Sequence, residues 1–337
     1  MKKVIFLAHD PGGHDVIFPL FEKFYRSGFE TQLYCIGPAG VISPQYNTLE
    51  ATWLSTVQHL ISGNQMQLLV TGTSWGNHIE IQSINLCKSA GILTVSVLDY
   101  WVNYASRFKD TFDVYIYPDI YIVMDELAKY EAIKEGVPPE IIIVKGHPGM
   151  DRFVQVPRLE EINVKEVKRL LFLSQPISLL YEKQLGYTEQ SALQDCIEVV
   201  KSIRGTQLSV KFHPKDDKSF QQQYRDISVD GLLSELFPQF DLIIGMSTMG
   251  LLHAFLSKVP VISYQPNLIG QDFCIASRLR LIPLVQQYEL LGKQIERSLQ
   301  ESRLDVVHNY SLDADTFLWT DGKSVERIFE FLMGVLK

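Results

Sequence analysis

Short, nearly unbroken apolar runs alternate with longer stretches whose apolar residues recur about every 3.6 positions, and the alternation persists through most of the 337 residues. A run that is apolar on both faces suits a strand covered on both sides, and the amphipathic stretches between supply the covering helices. The chain is therefore predicted to be an α/β protein built on parallel sheets. In the first half the strand candidates are 4–8 (VIFLA), 31–37, 68–72, 93–99, 114–118 (VYIYP), 121–125 and 141–146, with helical patterns over 15–27, 47–62, 77–90 and 126–135. In the second half strands are expected at 170–174, 208–214, 241–247, 259–265 and 280–285, with helices at 187–203, 249–257 and 324–337. The polar, charged stretch PRLEEINVKEVKRLL (157–171) separates the two series. The expected organisation is two doubly wound domains, 1–155 and 165–325, with residues 326–337 forming a terminal helix that packs back on the first.

Composition narrows the partners. The formal net charge is -8 and no run of Lys or Arg stands out, so a nucleic-acid backbone is not an expected partner. Backbone amides and a few placed cations can still hold a small anion. The four cysteines, Cys35, Cys87, Cys196 and Cys274, form no CxxC pair and lie in apolar segments, which suits buried free thiols. The apolar run in MKKVIFLAHD is too short for a signal peptide, and no stretch reaches about 18 apolar residues. The expectation is a cytoplasmic protein, with peripheral contact at the inner face of the membrane left open.

In doubly wound sheets ligands bind beyond the carboxyl ends of the strands, and the unusual polar residues of this chain fall there. HDPGGHD (9–15) follows the first strand. Gly12 and Gly13 let a ligand approach backbone and helix N-terminus, and Asp10, His14 and Asp15 are proton-transfer candidates. The alternative is a tight turn with Asp15 capping the helix. In TGTSWGNHIE (71–80), Thr73, Ser74 and Asn77 precede a helix and Glu80 suits a capping box. LDYWVNYASRF (98–108) follows Asp99 with Trp101, Tyr104 and Phe108 interleaved with Asn103 and Arg107, a pattern suited to stacking on a sugar or base; two of the aromatics also suit core packing, and Asp99 and Arg107 a structural pair. KGHPGMDRF (145–153) reads as a turn between domains that carries His147.

In the second half, Ser174 and Gln175 end a strand. KFHPKDD (211–217) places His213 and Pro214 at a turn flanked by Lys211 and Lys215 and suited to gripping phosphate. GMSTMG puts Gly245, Ser247 and Thr248 at a helix N-terminus, where orphan N–H groups and the dipole favour an anion; a plain N-cap is the alternative. There is no HxH or HxxxH zinc spacing, no GxxxxGK[ST] loop and no GxSxG elbow, so zinc, P-loop and α/β-hydrolase chemistry are not expected.

These motifs resemble those of glycosyltransferases of the GT-B fold. KFHPKDD and GMST resemble the His-Pro and Ser/Thr motifs of bacterial sialyltransferase-like and capsule-polysaccharide transferases. DLIIGMSTMGLLHAFLSKVPVIS (241–263) looks like the donor segment common to these enzymes and to UDP-N-acetylglucosamine 2-epimerases. Here Lys258-Val259 precedes Pro260 where a small residue is usual, and His253 lies near the place of the epimerases' early-helix glutamate. KGHPGMD is similar to their G-N-P-x-x-D turn, with His147 for asparagine, and HDPGGH resembles the glycine loop of the lipid II-forming N-acetylglucosaminyltransferase.

The resemblance implies two Rossmann-like domains facing a central cleft. It implies a metal-independent transferase without a resident cofactor, moving a sugar from a CMP- or UDP-linked donor to a glycan or lipid-linked acceptor in bacterial surface-polysaccharide assembly. The donor would touch Ser174, Gln175, His213, Pro214, Lys215, Gly245, Ser247 and Thr248. The acceptor would lie near Gly12, Gly13, Trp101, Asn103 and Arg107, with Asp10, Asp99 or His14 as base. The alternatives are a sugar-nucleotide epimerase or hydrolase of the 2-epimerase kind, and a non-catalytic binding protein.

Overall fold

The computed structural model describes residues 3–154, 167–182, 184–300 and 317–336. Two compact units are present, Met1–Arg152 with Leu312–Lys337, and Phe153–Ser311. Most of the charged stretch 157–171, with the expected domain limits at 155 and 165, lies outside the described residues.

The first unit holds a six-stranded, all-parallel sheet of β1 (Lys3–Ala8), β2 (Thr31–Cys35), β3 (Met66–Thr71), β4 (Leu93–Val97), β5 (Ile120–Val123) and β6 (Ile142–Val144), in the order β2-β1-β3-β4-β5-β6. The second holds β7 (Lys168–Leu173), β8 (Thr206–Lys211), β9 (Leu242–Gly245), β10 (Val261–Tyr264) and β11 (Leu284–Val285), also parallel, in the order β11-β10-β9-β7-β8. In each sheet the winding reverses beside the first strand. The switch points, where a crevice opens beyond the strand ends, are therefore β1/β3 and β7/β9.

The strands are apolar throughout because both sheet faces are covered. Val4, Phe6, Leu68, Val70, Val95 and Ile122 form one core with Val16, Ile17, Leu20 and Phe24 of the helix Pro11–Arg26. The C-terminal helix Ser324–Val335 belongs to the same unit. Its Ile328 and Leu332 are fully buried in that core, at about 1.5–3 kcal/mol for each such side chain, and Phe329 meets Phe24 edge-on at 4.8 Å. In the second unit Leu170, Phe172, Ile244 and Ile262 pack with Leu193, Cys196 and Val200 of the helix Glu189–Ser202. All four cysteines are free and buried. No described helix is long and apolar enough to cross a membrane.

Three expectations change. The first helix begins at Pro11, so the glycine pair lies in its first turn rather than in a preceding loop, and Asp10, not Asp15, is the N-cap. Pro11 explains this: its fixed φ and missing N–H suit the first helical position. The run VYIYP is not a strand. Tyr115 makes a single bridge to Lys109, while Ile120–Val123 takes the place beside β4, pinned by mutual Thr94–Asp119 hydrogen bonds. A further helix, Tyr288–Gln300, covers β10 and β11.

Candidate active site

At the β1/β3 switch three carboxylates and one guanidinium converge. Asp10 Oδ1 accepts from Gly13 N at 2.7 Å, which closes the first turn of Pro11–Arg26. Asp99, just past β4, accepts from Arg107 Nη1 at 2.6 Å and from Thr73 Oγ1 at 3.3 Å. Arg107 is buried, and its Nη1 also donates to Thr73 Oγ1 at 3.0 Å and to the Thr73 carbonyl, while Nε donates to Val102 O. One guanidinium thus ties the β3 and β4 loops together and neutralises Asp99. Burial works against the charge on Arg107, but Asp99, Tyr121 and Asp10 more than offset it and its pKa lies above the ordinary value.

The third carboxylate is Glu80, in the helix Ile79–Ser89. It is 3% exposed and accepts from Ser74 N and Ser74 Oγ, each at 2.7 Å, and from His9 N at 3.3 Å. Burial, and then the neighbouring Asp10, pushes its pKa up to about 8. Asp10 is raised as well, by burial first and Asp99 second.

The glycine pair serves packing at this point. A Cβ on Gly12 would overlap the Asp99 carboxylate, and one on Gly13 would lie 2.9 Å from Asp10 Oδ1 and 3.2 Å from Gly72 Cα. The space expected for a ligand at Gly12 and Gly13 is filled by the protein itself. His14 turns elsewhere: Nε2 meets Ser43 Oγ at 2.8 Å, the ring stacks on Phe18, and burial lowers its pKa. Asp15 pairs with Arg152 at 2.6 Å. Trp101 is a core residue, 1% exposed, donating to Asp125 Oδ2 and packed edge-on to Trp319. Asn103 holds a left-handed turn at φ 59°. Trp75, in the loop after β3, is exposed, and Nε2 of the buried His147 meets the Asp99 carbonyl at 3.0 Å. Local reading of the sequence treated Glu80 as a cap and passed over Trp75. The signal for Glu80 was an acid among residues that otherwise pack inward, Ile79, Ile81 and Ile84.

At the β7/β9 switch, Gln175 Oε1 accepts from Ser247 N at 3.2 Å and Ser247 Oγ at 3.1 Å. Thr248 caps the helix Met249–Leu256 by accepting from Gly250 N, so the cap belongs to Thr248, while the buried Ser247 bonds to Gln175. Ser174 is buried beside them, and Gly245 lies inside β9, close to Leu251 and the Leu173 carbonyl. His213 stands one strand further out, past β8. Its backbone N donates to Asp216 Oδ2, its Nδ1 accepts from Lys215 N, and burial lowers its pKa. His213 and Pro214 line a cavity of about 400 Å³ with Lys211, Lys218 and Arg225, whereas Lys215 is exposed. Sequence proximity had put Lys215 in that grip. Among the described residues, no group of three or more His, Cys, Asp or Glu is set to hold a metal ion.

No family model matches the chain, and no curated protein matches it by sequence. Solved structures match over its whole length. The UDP-GlcNAc 2-epimerase of Methanocaldococcus jannaschii is 15% identical with a TM-score of 0.68, covering 98% of this chain and 99% of its own. The Neisseria meningitidis UDP-GlcNAc 2-epimerase bound to UDP-GlcNAc is 11% identical with a TM-score of 0.69, over 98% and 100%. The glycotransferase of kitacinnamycin is 10% identical with a TM-score of 0.64, over 100% and 99%. The chain thus has a two-unit, Rossmann-like GT-B fold.

Proposed function

We propose that this chain is an enzyme acting on a nucleotide sugar, with a UDP-sugar as substrate and 2-epimerase-like chemistry as the first reading. The observation that carries it is the buried group Asp10, Asp99 and Arg107 at the β1/β3 switch of a fold shared with UDP-GlcNAc 2-epimerases. Inverting a sugar carbon next to the anomeric centre requires a proton to leave one face and return on the other. Two carboxylates in different settings supply that pair: Asp99, held by a cation, and Asp10, raised by burial. As the proton leaves C2, the bond from C1 to the diphosphate oxygen breaks, its electron pair departs with UDP and a C1=C2 double bond forms; the epimer results when a proton returns to C2 on the other face and the diphosphate oxygen bonds to C1 again. Ser174, Gln175, Ser247 and Thr248 would hold the nucleotide in the second unit, through the amides and hydroxyls at the β7/β9 switch.

Glycosyl transfer is the second reading, favoured by the similarity to the kitacinnamycin glycotransferase and by the exposed Trp75, a stacking surface for a sugar. A single base suffices there: the acceptor hydroxyl loses its proton to Asp10 or Asp99 as its oxygen bonds to C1.

Incubation with UDP-GlcNAc, followed by proton NMR and chromatography, tests both. A C2 epimer or released UDP without any acceptor supports the first reading; UDP release only when an acceptor is added supports the second. Calorimetry with UDP and CMP tests the donor side. Ser247→Ala should weaken UDP binding about fivefold, the worth of roughly 1 kcal/mol for one hydrogen bond. A chain that binds no nucleotide overturns the assignment.

A further inference from the structure

Glu80 is a buried acid with no cation of its own. Arg107 is committed to Asp99 and Thr73, and among the described residues no basic side chain pairs with Glu80. Its hydrogen bonds instead tie the turn after β1, through His9 N, to the turn after β3, through Ser74, and these are the two sides of the switch point. Asp10 follows His9 directly. A Cβ on Gly13 would lie 2.9 Å from Asp10 Oδ1 and 3.7 Å from Glu80 Oε1, so both carboxyl oxygens face the same bare side of Gly13. Of the charged and titratable groups here, Asp10 from the β1 turn acts directly on Glu80, while His9, whose ring lies toward Gly37, and Asp99 with Arg107 past β4 act on Asp10. Three negative charges against one positive in a buried space is a costly arrangement, and one retained proton relieves it.

We propose that Glu80 is a positioning residue for Asp10: it clamps the two switch-point turns and keeps one proton on its own carboxyl, so that Asp10 stands as the ionised, proton-accepting member of the pair. The proton belongs on Oε1. Oε2 accepts two bonds at 2.7 Å from Ser74, whereas Oε1 has only the longer contact with His9 N and looks toward the side shared with Asp10. The raised pKa of Glu80, near 8, agrees with this. Above that value the second charge raises the proton affinity of Asp10, so that the proton taken from the sugar is held and not passed on.

The catalytic part rests on the nucleotide-sugar reading; the shared proton does not, and two measurements separate them. Glutamine is a neutral stand-in for the protonated acid: its oxygen accepts from Ser74, while its amide NH₂, in the place of Oε1, gives up the longer contact with His9 N. In the UDP-GlcNAc assay Glu80→Gln should keep kcat at pH 7 within about threefold of wild type and lose the alkaline fall in kcat near pH 8, while Glu80→Ala, which drops the clamp, should lose kcat at least thirtyfold. A Glu80→Gln enzyme as slow as Glu80→Ala, or one that keeps the alkaline limb, overturns the proposal. The second measurement needs no turnover: carboxyl ¹³C titration of the whole chain should show one carboxyl titrating near pH 8 that vanishes in Glu80→Gln. Its absence overturns the shared proton. Its presence in a protein that turns over no sugar nucleotide leaves the shared proton standing and removes the functional reading instead.

Discussion

The carboxylate of Asp99 stands where a side chain on Gly12 would begin, so the second residue of the first helix and a residue just past the fourth strand share one space. Gly12 holds an ordinary helical conformation, in which alanine would normally be the better helix former. Gly12→Ala should nevertheless destabilise the protein by about 1–3 kcal/mol, the usual cost of overpacking, because Asp99 must leave Arg107 to make room. Urea unfolding measures the loss. A variant as stable as wild type would mean that the carboxylate has somewhere else to go.

Arg107 is the cation on which the carboxylate group depends, and both it and Asp99 are well shielded, with side chains 5% and 14% exposed. Arg107→Ala should cost about 3–5 kcal/mol, since it leaves Asp99 uncompensated in a poorly hydrated space. Arg107→Lys should recover less than half of that, because one ammonium cannot serve Thr73, Asp99 and Val102 at once. Equilibrium unfolding of the two variants decides both points.

Asp125 receives two indoles on one oxygen, Trp101 at 2.9 Å and Trp319 at 3.0 Å, while its other oxygen caps the helix Glu126–Lys134 through Ala128 N. Asp125→Ala removes a cap, worth about 1 kcal/mol, and strands two buried donors at about 1–3 kcal/mol each. The expected result is a strongly destabilised protein whose C-terminal segment is cut more readily in limited proteolysis. Unchanged protease resistance would show that the apolar face of Ser324–Val335 holds that segment without Trp319.

His14 gives a pH dependence with a definite sign. Burial lowers its pKa below the ordinary 6.5, so below that pH the unfolded chain binds more protons at this site than the folded one. Its contribution is therefore fully present above pH 6.5 and is lost as pH falls through the folded value. His14→Gln should flatten thermal stability between pH 6.5 and 5, and melting curves across that range would show it. An unchanged slope would assign the acid sensitivity to other groups.

The two parallel sheets were legible in the sequence, since runs such as VIFLA and DLIIG are apolar on both faces, as strands covered on both sides require, and alternate with amphipathic stretches. The place of Asp10 and Asp99 just beyond strand ends was legible too, and strand ends are where a doubly wound fold collects its ligands. What the sequence alone could not decide is which way those residues turn. Trp101 beside Asn103 looks like a sugar platform, but the Trp319 ring, 218 residues further on, closes over it, and a contact of that range leaves no local pattern. VYIYP has the composition of a strand and lost its place to Ile120–Val123, whose neighbour Asp119 bonds Thr94. Glu80 has the spacing of a cap, and only the closure of Gly13 on Gly72 made it a buried acid beside Asp10. Periodicity reports which faces are covered; desolvation and partner choice, which set the chemistry of a carboxylate, depend on residues that only the folded chain brings within reach.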